Sequence, residues 1–401
     1  MKKLLAALLA LPLIASAHVD AGAQQSPLEP IRDSISRHAP FKQWDVTTGK
    51  PNLTIGRTPG AACEAISFLV GDWRTNHRKD SIDDAGRLGG WIRQLQDGGS
   101  SSAVPGGIPS TPDLAGTAST YHYVIDAAFC GTAMLDLADA TGDEAARTSA
   151  MRFGRFILAM MRDGTGKPMT AGTIGRAPCE AVVLGSGAPA WNCRRYVKNL
   201  ITLPLLARLD RIDPKTGYAA AARDMRATLL PGLAGLWEYA DGTTTAPKWH
   251  RIDGPHGEKD MFVYGDTLAY GLKGLHAYEG ASADVRRIYA DFTTPRDRSD
   301  RTRTYDPGVA LAGYVVAHTR SADPYSAYYD IVTLGLLDGV RRDVDPADAV
   351  RARQVLVREL AGVDRLGWHM DMSFRARRTG MADMSTLSSI GQAILSSEST
   401  L

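Results

Sequence analysis

Apolar residues in this chain recur at the three-and-four spacing of a helix, and strict alternation of apolar and polar positions is rare. The clearest case spans residues 123–138, where Phe129, Ala133, Leu137 and Ala138 fall on helical intervals. A turn follows at 139–143, with Gly142 as a stop signal, and residues 144–161 predict a second, more charged helix. The same grammar returns at 199–209 with 218–229, at 267–278 with 283–292, and at 331–340 with 347–360. Residues 61–69 are an earlier apolar member and 386–395 a last one. Asp213-Pro214, Glu279-Gly280 and Asp345-Pro346 punctuate the turns between partners. Counting apolar members gives six inner helices, spaced too irregularly for a solenoid of fixed period.

Six hairpins in one chain predict an all-α fold, an (α/α)6-type toroid. Apolar, Gly- and Ala-rich helices would form its inner ring, and Arg- and Asp-bearing partners would sheath them. The phrase Leu135-Asp136-Leu137-Ala138-Asp139-Ala140-Thr141-Gly142-Asp143 and its echo Gly271-Leu272-Lys273-Gly274-Leu275-His276-Ala277-Tyr278-Glu279 carry a resemblance. They are similar to the helix-to-helix turns of the six-hairpin glycosidase superfamily and its polysaccharide lyase relatives. The resemblance covers most of residues 60–400 as a pattern and is architectural. A shorter echo, Thr54-Ile55-Gly56-Arg57 ahead of Cys63-Glu64-Ala65 and Thr173-Ile174-Gly175-Arg176 ahead of Cys179-Glu180-Ala181, marks two matching segments.

The start of the chain reads as an address. Lys2 and Lys3 precede an apolar stretch at residues 4–14, and Ala15-Ser16-Ala17 offers a small-residue cleavage site. Residues 1–23 therefore predict a bacterial secretory signal peptide, cut after Ala17 or after Ala23, with a periplasmic or extracellular destination. Residues 24–60 form an N-terminal extension and 61–401 a single toroid domain. No other segment reaches the roughly 18 apolar residues that a spanning helix needs. Four cysteines in an oxidising compartment predict two disulfides, with three connectivities open. Cys179–Cys193 closes a short loop, worth about 3 kcal/mol in the chain-entropy model, and leaves Cys63–Cys130 by elimination.

With 44% hydrophobic and 22% charged residues, the composition excludes disordered and collagen-like classes. Its 46 basic residues against 44 acidic exclude a polyanion-binding signature, so nucleic acid is not an expected partner. The expected state is a monomer acting on carbohydrate, without a cofactor.

Candidate chemistry concentrates at residues 249–266, just ahead of an inner helix. Trp249, His250, Arg251, Asp253, His256, Glu258, Asp260, Tyr264 and Asp266 lie within this stretch. Carboxyl groups protonate a glycosidic oxygen and activate water, while Trp and Tyr offer flat faces to sugar rings. Tyr or His with a neutralising Arg would instead suit β-elimination from a uronate. His250, His256, Glu258 and Asp260 match no metal-ligand spacing, and no metal is expected. Asp126, Asp266 and Asp330 each stand before an inner helix, either as helix caps or as carboxylates around the barrel mouth.

The Gly/Ser/Pro-rich stretch 98–116 predicts a cleft-lining loop that delivers Tyr121, His122 and Tyr123. Trp73 and His77, in the patch from Asp72 to Arg78, give a further polar-aromatic cluster. Its Asn76 and His77 resemble uronate-neutralising residues of lyases with this architecture, although the fuller Asn-Asn-His-x-Tyr-Trp signature of alginate lyases is absent. Trp191-Asn192-Cys193-Arg194-Arg195-Tyr196 has a similar make-up. No GxSxG, HExxH, Walker A or GxGxxG pattern occurs.

These features point to a secreted glycoside hydrolase working through a carboxylate pair drawn from Asp126, Asp266 and Glu258. One rival is a uronate-polysaccharide lyase using Tyr264, His256 or His122. Another is a helical-repeat module that binds glycan or protein without catalysis.

Overall fold

Local turn chemistry sets the repeating unit, which is a pair of antiparallel helices. In a computed structural model that describes residues 28, 44–45, 50–51, 59–98, 105–109, 121–162, 177–178, 181–183, 189–190, 197–234, 265–293, 335–364 and 384–398, the units follow one another along the chain. Helix α1 (Pro59–Asn76) pairs with α2 (Lys79–Gly98), and α3 (Val124–Thr141) with α4 (Glu144–Met160). A 3-10 segment (Val197–Thr202) leads into α5 (Leu203–Ile212), which pairs with α6 (Tyr218–Ala234). Helix α7 (Gly265–Glu279) pairs with α8 (Ala283–Thr293), α9 (Asp338–Val344) with α10 (Pro346–Asp364), and α11 (Met384–Glu398) comes last.

The α3–α4 turn shows why the chain reverses where it does. Gly142 adopts φ 74°, a left-handed conformation that costs glycine nothing, and its N–H bonds the Ala138 carbonyl. Asp143 then caps α4, accepting from the N–H groups of Ala145 at 2.8 Å and Ala146 at 3.1 Å. Gly280 repeats the device after α7, with φ 67° and a 2.7 Å bond from its N–H to the His276 carbonyl.

Contacts between units run in order and then close. Helix α1 packs on α3, α3 on the 3-10 segment and α5, these on α7, α7 on α9, α9 on α11, and α11 back on α1. Six inner members thus form a complete ring, as the sequence predicts. The outer helices α2, α4, α6 and α8 contact one another in the same order outside it. Inner helix α3 buries residues around much of its girth, including Val124, Ala127, Ala128, Met134, Leu135 and Leu137. Outer helix α4 buries one stripe, with Ala146, Ala150, Phe153 and Ile157 at helical spacing. One continuous apolar core joins all the units.

Small residues let inner neighbours approach. A Cβ on Gly274 of α7 would overlap the Leu200 carbonyl of the 3-10 segment, so only glycine fits that crossing. At the turn end of the ring, polar side-chain pairs join neighbouring units. Arg208 of α5 reaches Asp136 at 2.7 Å and Asp139 at 3.0 Å, Arg226 of α6 reaches Asp284 at 2.9 Å, and His276 of α7 lies 2.8 Å from Asp343. Each half-exposed pair contributes about 1 kcal/mol or less.

The departures from expectation are local. Short strands occur at β1 (Trp44–Asp45), β2 (Lys50–Pro51), β3 (Tyr121–Tyr123), β4 (Met161–Arg162), β5 (Ala177–Pro178), β6 (Ala181–Val183) and β7 (Pro189–Ala190). They form three small antiparallel groups, with His122 of β3 opposite Val182 of β6. Helix α1 runs on to Asn76, so the patch from Asp72 is its last turn. Asp72 is fully buried there, accepting from Asn76 at 2.9 Å and Ser81 at 2.6 Å, and splices α1 to α2. No helix among the described residues is long and apolar enough to cross a membrane.

Candidate active site

Charged side chains inside a ring of apolar helices need a reason, because burial penalises them unless they are paired. Five inner members each bring polar groups to one region of the ring. Glu64 is in the second turn of α1 and Asp126 in the first turn of α3. Lys198 is the second residue of the 3-10 segment, Tyr270 and Lys273 lie on α7, and Gln392 lies on α11.

The groups bridge the ring. The Tyr270 hydroxyl donates to Glu64 Oε1 at 2.8 Å, and the Gln392 amide donates to the Glu64 carbonyl at 3.3 Å. Lys273 Nζ reaches Gln392 Oε1 at 3.5 Å. Lys198 Nζ stands 4.6 Å above the Tyr270 ring, and the Phe129 ring of α3 lies 5.1 Å from that ring, centroid to centroid. Glu64, Asp126 and Tyr270 are nearly enclosed, whereas Phe129, Lys198, Lys273 and Gln392 keep accessible surface.

Electrostatics separates Asp126 from ordinary surface acids. Burial pushes Asp126 up to about 7, with the Lys198 charge opposing and the Glu64 charge adding to the rise. Burial also lowers the Lys273 ammonium, partly offset by Glu64. Asp126 therefore exchanges its proton near neutrality, next to a second carboxylate. Asp126 fits where it does because its neighbour on α1 is Gly60, since a Cβ there would overlap Oδ1 of Asp126.

Of the residues predicted from sequence, Asp126 lies in this cluster. It is not the cap of α3: that position belongs to Tyr123, which makes no side-chain cap bond. Asp266 is on α7, one turn ahead of Tyr270; its side chain, and that of Tyr121 on β3, lie outside the described residues. His122 is fully buried at the approach to α3, its ring 6.1 Å from Phe156, and burial pushes it down to about 4. Trp73 and His77 are elsewhere, Trp73 about 14 Å from Glu64 along α1 at the helical rise. Glu258, Trp249, His250, Arg251, His256, Tyr264, Asp330, the Cys179–Cys193 pair, the 191–196 patch, most of the 98–116 loop and residues 1–23 lie outside the described residues. The other expected disulfide, Cys63–Cys130, is present. Among the described residues no three His, Cys, Asp or Glu side chains group as a metal site would require.

Sequence reasoning missed Glu64, Lys198, Tyr270, Lys273 and Gln392. Their signal was available in part: Glu64 and Lys273 are isolated charges within apolar stretches, at positions where the helical pattern asks for core residues.

No family model matches the chain, and no curated protein matches it in sequence. Solved structures match its fold. A cellobiose 2-epimerase from Spirochaeta thermophila aligns over 93% of this chain and 98% of its own, at 12% identity and a TM-score of 0.57. An unsaturated glucuronyl hydrolase specific for heparin aligns over 92% and 96%, at 11% identity and 0.53. The α-1,6-mannanase of a Salegentibacter species aligns over 92% and 97%, at 10% identity and 0.52. The chain is an (α/α) toroid. The likeness is one of fold, and in this toroid Glu64 and Asp126 lie in the first two turns of neighbouring inner helices.

Proposed function

We propose that this toroid is a secreted carbohydrate-active enzyme that hydrolyses glycosidic bonds, with Asp126 as general acid and Glu64 as the second carboxylate. The observation that carries the reading is the pair itself: two buried carboxyl groups on neighbouring inner helices, one of them holding its proton to about pH 7 beside the other. Environments that drive two carboxyl groups apart in proton affinity divide the labour of acid and base. Asp126 gives its proton to the leaving glycosidic oxygen as the bond to the anomeric carbon breaks. Glu64, held by the Tyr270 hydroxyl, supports the positive charge that develops there, and a water adds after surrendering a proton to a carboxylate.

Phe129 offers a ring face to sugar, and Lys198 and Lys273 offer donors to its hydroxyls. Asp266 stays in the proposed set through its backbone place one turn ahead of Tyr270, and Glu258 through the segment that leads into α7. The leader at residues 1–23 directs the chain to the periplasm or the exterior, where it acts as a monomer.

One observation favours a second reading. The lowered proton affinity of Lys273, within reach of Glu64's charge, suits proton transfer at a carbon beside a carbonyl or carboxylate, as elimination or epimerisation requires. Incubation with neutral and uronic-acid polysaccharides separates the readings. Reducing ends rising alone, and lost in Asp126→Asn and Glu64→Gln, support hydrolysis. Ultraviolet absorbance of unsaturated products rising with them supports elimination. Binding without either signal supports a non-catalytic module.

A further inference from the structure

The two helices that carry the carboxyl pair are also covalently joined, and the join is at the same level. On α1, Gly60, Cys63 and Glu64 are spaced i, i+3, i+4, so they share one helix face. On α3, Asp126, Phe129 and Cys130 have the same spacing. These faces meet: Gly60 lies under the Asp126 carboxylate and against the Phe129 ring, and Cys63 is bonded to Cys130. The bonded residues have α-carbons 4.8 Å apart, so the two helix backbones are in direct contact at this level.

We infer that the Cys63–Cys130 disulfide is a positioning element for the carboxyl pair, holding α1 against α3 so that Asp126 stays in its slot over Gly60 beside Glu64. Three features support this. Cys63 is the immediate neighbour of Glu64, so any shift of α1 at the bond moves that carboxylate. Cys130 is one turn from Asp126, so α3 is pinned at the turn that follows the acid. Gly60 leaves room for the Asp126 carboxyl only while the two faces stay in register, and that enclosure is what keeps its proton bound toward neutrality. The charged groups that act on Asp126 from the elements around it are Glu64 of α1 and Lys198 of the 3-10 segment. Loosening the clamp admits water and moves Glu64 away, and both changes lower the proton affinity of Asp126. The cysteines touch no substrate in this scheme.

For its effect on turnover the inference rests on the hydrolase reading, but its structural half does not. The test follows the carboxyl carbon of Asp126 by carbon-13 nuclear magnetic resonance, assigned by its absence in Asp126→Asn. The full mature protein is compared oxidised, thiol-reduced and as Cys63→Ala/Cys130→Val, which leaves Cys179 and Cys193 untouched. With helical circular dichroism retained, the Asp126 acid constant is expected to rise about tenfold or more once the bond is gone, a titration midpoint lower by about one. A midpoint unchanged in both the reduced protein and the double variant overturns the inference. Loss of helical dichroism in both also overturns it, because the bond would then hold the fold and not the site. If the midpoint falls but the oxidised protein cleaves no glycan, the positioning role stands and the hydrolase reading fails. If the oxidised protein cleaves glycan and breaking the bond changes neither midpoint nor turnover, the positioning role alone fails.

Discussion

The Tyr270 hydroxyl donates to Glu64 Oε1 at 2.8 Å although the two residues stand 206 apart in the chain. They belong to the first and fourth members of the inner ring, so the bond spans its interior and ties α1 to α7 where the carboxyl pair lies. Tyr270→Phe keeps the ring against Phe129 and under Lys198 while removing the donor. A buried carboxylate oxygen then loses a partner, at a cost of about 1–3 kcal/mol. The expected result is a lower urea midpoint with an unchanged slope, together with reduced turnover. Equal stability and turnover in Tyr270→Phe and wild type would show that the bond does nothing for Glu64.

Asp126 leads to an activity prediction with a defined sign. As a general acid it works in its protonated form, which prevails below about pH 7. Turnover should therefore fall as pH rises through about 7. Asp126→Asn should lose on the order of 10²–10⁴-fold in kcat together with that alkaline limb. A variant that keeps both would remove Asp126 from the chemistry.

The two charges acting on Asp126 make separable predictions. Glu64 raises its proton affinity and Lys198 lowers it. Glu64→Gln should thus shift the Asp126 titration to lower pH, and Lys198→Met should shift it to higher pH. Carboxyl resonances followed through a pH series read both directions in folded protein without any substrate. Shifts of the same sign in both variants would contradict the arrangement.

How much of this was legible in the sequence follows from the range of the interactions involved. The hairpins were readable because their turns are built locally: Gly142 supplies a left-handed stop, Asp143 caps the next helix two residues on, and Asp345-Pro346 starts α10. Asp126 was readable for a similar reason, through its place at the start of an apolar helix. The rest of the cluster was not. Glu64, Lys198, Lys273 and Gln392 come from four different inner members, and only closure of the ring brings them to one level. Local polarity instead drew attention to the crowded segment 249–266 and to the patch containing Trp73 and His77. In that patch Asp72 proves to be a splice between α1 and α2. A lone charge inside an apolar helix was the better indicator, because nothing local accounts for it.

His122 and Asp126, four residues apart at the approach to α3, impose opposite pH demands on stability. Asp126 in the folded protein keeps its proton to about 7, while the unfolded chain releases it near 3.8. Its contribution is therefore fully present below about pH 4 and is lost as pH rises toward 7. Among the described residues neither ring nitrogen of His122 has a hydrogen-bond partner, and the folded ring resists protonation down to about 4 against 6.5 when unfolded. Its contribution is present above pH 6.5 and is lost as pH falls toward 4. Between about pH 4 and 6.5 the two slopes, each about 1.4 kcal/mol per pH unit, oppose and nearly cancel. Removing one should uncover the other. Relative to wild type, Asp126→Asn should gain stability as pH rises through this window, and His122→Leu should lose it. Urea unfolding of the three proteins at pH 4.5, 5.5 and 6.5 reads the slopes directly. Parallel curves for all three would mean that neither group is held as the structure holds it.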